Sequence, residues 1–349
     1  MSINLTRYDT HFMMGVKREI KEIPSFFLSN YYQQTMLFTT EYVDFEKMVL
    51  NRVIAPFVAP TELGQPILSM GSKVKTFKPA YIKLLDPLKP EDVIKKLPGQ
   101  LATLETSSMQ QRYDRIMAEI LLQHERALAM RKEQMAMAAL LNGSITCISD
   151  GYPTTFVDFE RDASHTVTLG PTTFWDNGVA ADPLANIEAW NDLMFNSNFG
   201  SSVKRIIFGR QAWIAFRNDG KVAQERDLQI RNTVANIKGF ESQTNYMQYR
   251  GELDGIELWT CNYQYQEMVN GVIVTKDMMD PKEVLLLGSQ IEGVQAYGAI
   301  LDNDSLQAAQ SFSKVYSLPN PSATMMLTQT APLMVPINPN STLKARVVS

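Results

Sequence analysis

The chain has 349 residues, 45% of them apolar and 20% charged, with a net charge of −4. That length can bury a large core in one or two domains, and the balance is that of an ordinary globular protein. An acidic total argues against a nucleic-acid clamp, which needs a basic surface to displace phosphate counterions. Two cysteines, Cys147 and Cys261, give no disulfide framework and suit a reducing compartment. The amino-terminal residues read as lacking a secretory leader, and no stretch reaches the roughly 18 apolar residues of a membrane span.

Residues 1–45 read as an arm, with a short helical turn near Val16 to Ile23. Eight of the 17 prolines fall in the first hundred residues, so long helices and central strands are forbidden there. The same stretch carries Phe26, Phe27, Tyr31, Tyr32, Phe77 and Tyr81. Apolar but too broken to form its own core, it reads as an arm and a loop, 46–100, laid across neighbouring copies. Within the loop, Lys73-Val74-Lys75-Thr76-Phe77-Lys78 alternates as one strand of a hairpin would. Residues 73–96 hold seven lysines against three acids, an excess of +4 in an acidic chain. That excess is either a solvated face or a basic finger for a neighbour's acidic surface. On these grounds Phe26, Phe27, Tyr31, Tyr32, Lys73, Lys75, Phe77, Lys78 and Tyr81 are the expected contacts between subunits.

From Ser107 to Leu141 there is neither proline nor glycine. Tyr113, Ile116, Met117, Ile120, Leu121, His124, Leu128, Met135 and Ala138 recur at three- and four-residue steps, predicting one long helix. Thr106, Ser107 and Ser108 offer N-caps, and Asn142-Gly143 is a stop signal. Strands are expected at 155–159 and 165–169 around a turn. Asp182-Pro183 opens a second helix with Leu184, Ile187, Trp190 or Asn191, and Met194 inward. Further strands are expected at 203–208, 256–265 and 284–288, with a short helix at 211–216 and a tight turn at Asn270-Gly271. Pro332 to Pro339 reads as a proline-rich tail, and 343–348 as one added edge strand.

Catalytic and metal motifs are missing. His11, His124 and His165 are scattered, with no H-x-x-x-H or C-x-x-C spacing, no Walker loop, no G-x-G-x-x-G and no G-x-S-x-G. His124 reads as a satisfied core or interface histidine, Cys147 and Cys261 as small core residues, and the nineteen methionines as adaptable core filling. No catalytic residue, cofactor or metal site is therefore expected.

Several collinear blocks resemble the lambda-type major capsid proteins of tailed bacteriophages, the phage capsid protein E family. They are Ile23-Pro24-Ser25-Phe26-Phe27; Thr40 to Phe45 with Ala55-Pro56-Phe57-Val58; Phe77 to Lys83 with Leu97-Pro98-Gly99; and Arg131-Lys132-Glu133-Gln134 through Gly143. Val157-Asp158-Phe159, Trp175 with Asp182-Pro183-Leu184, Tyr297 to Asp302 and Ala331-Pro332-Leu333 continue the order. The family's charged residues flanking Pro-Gly are here Leu97 and Gln100.

The resemblance implies the α+β Hong Kong 97 capsid fold. Its parts would be an arm (1–45), an extended loop (46–100), a peripheral domain with a spine helix (101–182), an axial domain (183–310) and return strands (311–349). It implies a structural protein, not an enzyme, that self-assembles into hexamers and pentamers of an icosahedral head. That head would enclose double-stranded DNA without binding it specifically. Implied partners are further copies of itself and scaffold, portal and decoration proteins, with no membrane. Its place would be the virion, after assembly in the host cytoplasm. An encapsulin-like bacterial shell and an enzyme of unknown class are the competing readings.

Overall fold

A computed structural model describes residues 25–49, 71–94, 109–149, 152–176, 180–197, 200–224, 246–269, 272–304, 308–320 and 322–349. The expected turn at Val16 to Ile23, the caps Thr106 to Ser108, the block Leu97-Pro98-Gly99 and the Asn270-Gly271 turn lie outside them. In chain order the first elements are α1 (Phe26–Tyr31), β1 (Gln34–Leu37), β2 (Val43–Val49), β3 (Gly71–Phe77), β4 (Ile82–Leu88) and α2 (Pro90–Ile94). Then come α3 (Met109–Asn142), β5 (Ser144–Ser149), β6 (Tyr152–Asp158), β7 (Thr166–Thr168), α4 (Pro183–Asn196), β8 (Val203–Gly209) and α5 (Arg210–Asn218). The remaining strands are β9 (Met247–Leu253), β10 (Ile256–Cys261), β11 (Gln264–Val269), β12 (Val272–Asp277), β13 (Glu283–Gly288) and β14 (Gly293–Tyr297). The chain closes with β15 (Phe312–Pro319), β16 (Ser322–Thr330), β17 (Pro332–Pro336) and β18 (Thr342–Arg346).

The 34 residues of α3 make a rod of about 50 Å. Its first half is amphipathic, burying Tyr113, Met117, Leu121, His124 and Leu128 at the expected steps. From Met135 onward the stripe widens: Ala136, Met137, Ala139, Leu140 and Leu141 are buried as well, because this end passes through the main core. The helix stops at Gly143, whose φ of +66° suits a residue without a Cβ.

A six-stranded sheet, in the order β7-β18-β13-β8-β10-β9, lies at the centre. Its strands follow period two, and both faces are buried. Ile206, Phe208, Leu258, Val284 and Leu286 meet α4 and α5 through Ile187, Trp190, Met194, Ala212 and Phe216. Ile207, Trp259, Cys261, Leu285 and Leu287 face the other way, toward α1 and the end of α3. Asp182 caps α4 as expected, accepting from Ala185 N, with Pro183 in the first turn.

Several expectations need correction. β18 is not an edge strand but lies between β7 and β13, because its Leu343 and Ala345 complete the buried face beneath α4. The proline-rich run is β17, at the edge of the small sheet β1-β14-β17, where a missing N–H can be tolerated. The strand expected at 256–265 is two strands in separate sheets, β10 and β11. β6 and β7 do not pair with each other: β6 pairs with β5, and β7 with β18. β2 pairs with β3, so the hairpin begins at Val43, inside the expected arm. The central sheet also draws strands from either side of residues 182 and 310, so strand pairing crosses both expected divisions.

Candidate assembly surfaces and the joint behind them

The arm meets the body at a buried carboxylate. Ser25, at the N-cap of α1, makes no capping bond with its side chain. Glu133 of α3 takes that role from 107 residues away. Its Oε1 accepts from Phe26 N at 2.8 Å and Phe27 N at 2.7 Å, and its Oε2 from Leu28 N at 3.1 Å. Tyr246 Oη stands 3.0 Å from Phe26 N and donates toward Glu133 Oε1 at 3.4 Å. Burial pushes the Glu133 carboxyl above its ordinary range, and the three backbone donors pull against that shift.

Arg205, on β8, closes the other side of α1. Its guanidinium lies 5.6 Å from the Phe26 ring, 5.7 Å from Tyr31 and 5.6 Å from Trp259. It donates to Tyr31 Oη at 2.6 Å and to Glu257 Oε2 at 2.7 Å, and Trp259 Nε1 donates to the same carboxylate at 3.0 Å. A planar, always-charged group stacked among rings, with one nitrogen on a carboxylate and another on a hydroxyl, is a role lysine cannot fill. Burial pushes the Tyr31 hydroxyl up to about 12. Sequence reading did not find Glu133 as an anchor, nor Arg205 or Glu257. Arg205 and Glu257 each stand beside apolar strand residues, which is their only signal; Glu133, among Arg131, Lys132 and Gln134, has none.

Two further pins hold α3. His124 Nε2 lies 2.9 Å from Asp86 Oδ2 of β4, and its Nδ1 lies 2.8 Å from Thr328 Oγ1 of β16. Ser313 Oγ is 3.1 Å from the same Thr328 hydroxyl. Hydroxyl, imidazole and carboxylate are thus aligned, but Ser313 and Thr328 are fully buried and no substrate can reach them. The cluster ties helix to sheet, as a satisfied histidine should. At the C-terminal end of α3, Arg161 Nη1 donates to the carbonyls of Leu140 at 3.1 Å and Leu141 at 2.8 Å. Burial brings its pKa down to about 10. Among the described residues no group of three or more His, Cys, Asp or Glu is gathered to hold a metal. Cys261 is buried and its thiol is pushed up to about 11 by burial, which makes it a poor nucleophile.

The nine expected contact residues separate into two groups. Phe26, Phe27, Tyr31 and Tyr32 are in the subunit's own core, so as surface contacts they are corrected. Their rings pack on one another and on Trp259, and Gly293 admits Tyr32 because any Cβ there would lie 2.4 Å from its ring. Phe77 is half-buried and meets Phe159 edge-on at 5.9 Å. Tyr81 is also half-buried, donating to Gln329 Oε1 at 2.7 Å and standing 3.2 Å from Leu301 N. These six aromatics hold the arm and the root of the hairpin to the body.

Lys78 is exposed and pairs with Glu41 at 3.1 Å, its Nζ 5.7 Å from the Tyr42 ring. Lys73 and Lys75 lie on β3, opposite Lys47 and Phe45, with side chains outside the described parts. A second ribbon, β11/β12, was not anticipated as such. Burial pushes the Glu267 carboxyl up, but hydrogen bonds from Lys276 and Arg131 outweigh it and hold it low.

The family model described as phage major capsid protein E matches residues 9–347. The chain is 24% identical over 343 residues to the major capsid protein of Escherichia phage lambda, covering 96% of this chain and 98% of that one. It is 23% identical to the major capsid protein of Escherichia phage N15, covering 97% and 99%. The solved structure of a putative prophage capsid protein from E. coli CFT073 superposes with a TM-score of 0.70 at 17% identity, over 100% of both chains. At that identity the superposition speaks for the fold. No helix among the described residues is long and apolar enough to cross a membrane.

Proposed function

This chain belongs to the phage major capsid protein E family, and from that premise we propose how its parts serve assembly. The protein is a structural protein of the phage head, not an enzyme, with the Hong Kong 97-like α+β fold, and its place is the virion. Its family builds shells from many copies of itself. The encapsulin-like shell has less support, because the matching model is of phage capsids.

Our reading is that the lysine ribbon β2/β3 crosses to a neighbouring subunit, with Lys73, Lys75 and Lys78 on its acidic surface. Copies so joined make hexamers and pentamers, and scaffold, portal and decoration proteins complete the partner set. The division into arm, extended loop, peripheral domain and axial domain follows 1–45, 46–100, 101–182 with 311–349, and 183–310. The six-stranded sheet would then be the seam between the last two. A net charge of −4 fits a wall that encloses DNA without gripping it.

The observation that carries the reading is a chain matched from 9 to 347 in which β2/β3 is a two-stranded sheet joined to no other among the described residues. Electron microscopy and light scattering of the purified chain test it. Closed shells or capsomer-sized oligomers are expected. A compact monomer at all concentrations would overturn it.

A further inference from the structure

The ribbon β11/β12 has no role in anything described so far. Among the described residues it is a two-stranded sheet joined to no other, paired from Gln264 opposite Asp277 to Val269 opposite Val272. Two strands alone are marginal in water unless a face is covered. Near its root one face is covered. Tyr265 packs against the main core, and Glu267 is held by Arg131 of α3 at 3.1 Å and by Lys276 at 2.8 Å.

Toward the tip the ribbon is bare. Met268 is 67% exposed, Val272 62%, Ile273 63% and Val274 38%. Four of the nineteen exposed large apolar side chains among the described residues thus fall within seven positions. The register sets Met268 opposite Ile273 on one face, while Val272 and Val274 lie on the other. Residues 268–274 contain no charge. The tip is therefore apolar on both faces, while the charges that fix its direction sit at its root. That shape suits insertion between surfaces rather than lying on one.

We propose that the β11/β12 tip is a docking element that inserts against a second copy of this chain. The proposal rests on the shell reading above, and the occupant follows from it. A subunit of a shell is surrounded by copies of itself. Four side chains are too little surface for a separate stable partner, yet enough for a contact repeated at every subunit. Because the tip is uncharged, this contact should survive salt that weakens the lysine ribbon.

The test places a thiol-directed benzophenone on Ile273→Cys, in a chain whose half-buried Cys147 is replaced by serine, and irradiates the assembled material. A product of twice the subunit mass is expected, unchanged in molar salt, with the attachment point on another copy. In parallel, Met268→Thr with Ile273→Thr keeps strand propensity and should lower shell yield about tenfold, with the circular dichroism of the free subunit unchanged. A folded Ile273→Cys chain that does not assemble counts for the proposal. If shells form normally with both threonines and the label links only within its own chain, the docking inference falls and the shell reading stands. If the wild-type chain never associates, both fall.

Discussion

The joint around Glu133 and the two ribbons are built on opposite principles. At the joint, charged groups are buried and each meets several partners: Glu133 caps α1, and Arg205 is stacked among three rings. On the ribbons, among the described residues, such burial is confined to Glu267 at the root of one; on the other, Lys78 meets Glu41 with 55% and 40% of their side chains exposed. In low dielectric, losing one partner leaves the other desolvated and costs the full penalty. In water the same loss is nearly free. One region is therefore tuned for the fold of the subunit, and the other, in our proposal, is left for what the subunit touches.

The largest effect should come from Glu133→Ala. Phe27 N and Leu28 N would lose their acceptor, at about 1–3 kcal/mol for each buried donor left unpaired. Chemical denaturation should show that loss, and proteolysis should now cut near α1. Unchanged stability would mean that α1 is held by its rings alone. Ala127→Pro should cost roughly 3 kcal/mol or more. Ala127 is an exposed residue inside α3, so the loss would isolate the backbone of the helix from its packing. Normal helicity and normal assembly in that variant would break the account of α3 as the rod of the subunit.

A smaller effect sharpens the electrostatic side of the comparison. The folded carboxyl of Glu133 titrates above its unfolded value because burial disfavours the charge. Its contribution to stability is therefore fully present below the unfolded pKa and is lost as pH rises through the raised one. Asp162 and Asp182 run the other way. Hydrogen bonds from Ser164, and from Lys221 and Ala185, hold them low, so their contribution is lost as pH falls. Glu133→Gln should remove only the first slope. The difference between wild type and variant, measured by denaturation from pH 4 to 8, should decline with rising pH. A flat difference would mean that the site is as favourable to the ion as water is.

Periodicity made some of this legible and left other parts hidden. The long helix, its stop at Asn142-Gly143, the cap at Asp182 and the strand at 203–208 are local patterns, and each is present. β18 read as an edge because the sequence shows its apolar alternation but not its neighbours on both sides. The arm aromatics read as surface because prolines around them forbid a local core. The surface that buries them comes from α3 and the central sheet, more than a hundred residues away. Glu133 lies inside the family-like stretch from Arg131 to Gly143, yet nothing in one sequence separates a buried glutamate from the solvated ones around it. The second ribbon was hidden because β10 and β11 form nearly one continuous run: Asn262 N still bonds Tyr246 O at 3.1 Å in line with the β9/β10 pairing, and only from Gln264 does the chain pair with β12 instead.

The smallest effect on the subunit, and the one that most directly separates ribbon from joint, belongs to the lysines. Lys73, Lys75 and Lys78 reversed to glutamate should leave the free subunit within about 1 kcal/mol of wild type, since exposed pairs are worth about 0–1 kcal/mol. Lys78 has a partner in its own chain, Glu41. Reversing it sets two acids side by side, so a small loss at the ribbon root is expected and Lys78→Ala is the control. Assembly should respond much more, because a weak contact repeated around every capsomer must form in all copies together. High salt should weaken wild-type assembly in the same direction, as the Debye length falls from about 8 Å near physiological ionic strength to about 3 Å at 1 M. A triple variant that assembles as well as wild type at low salt would mean that these lysines are only a solvated face. The work of joining subunits would then belong to apolar contacts such as the second ribbon.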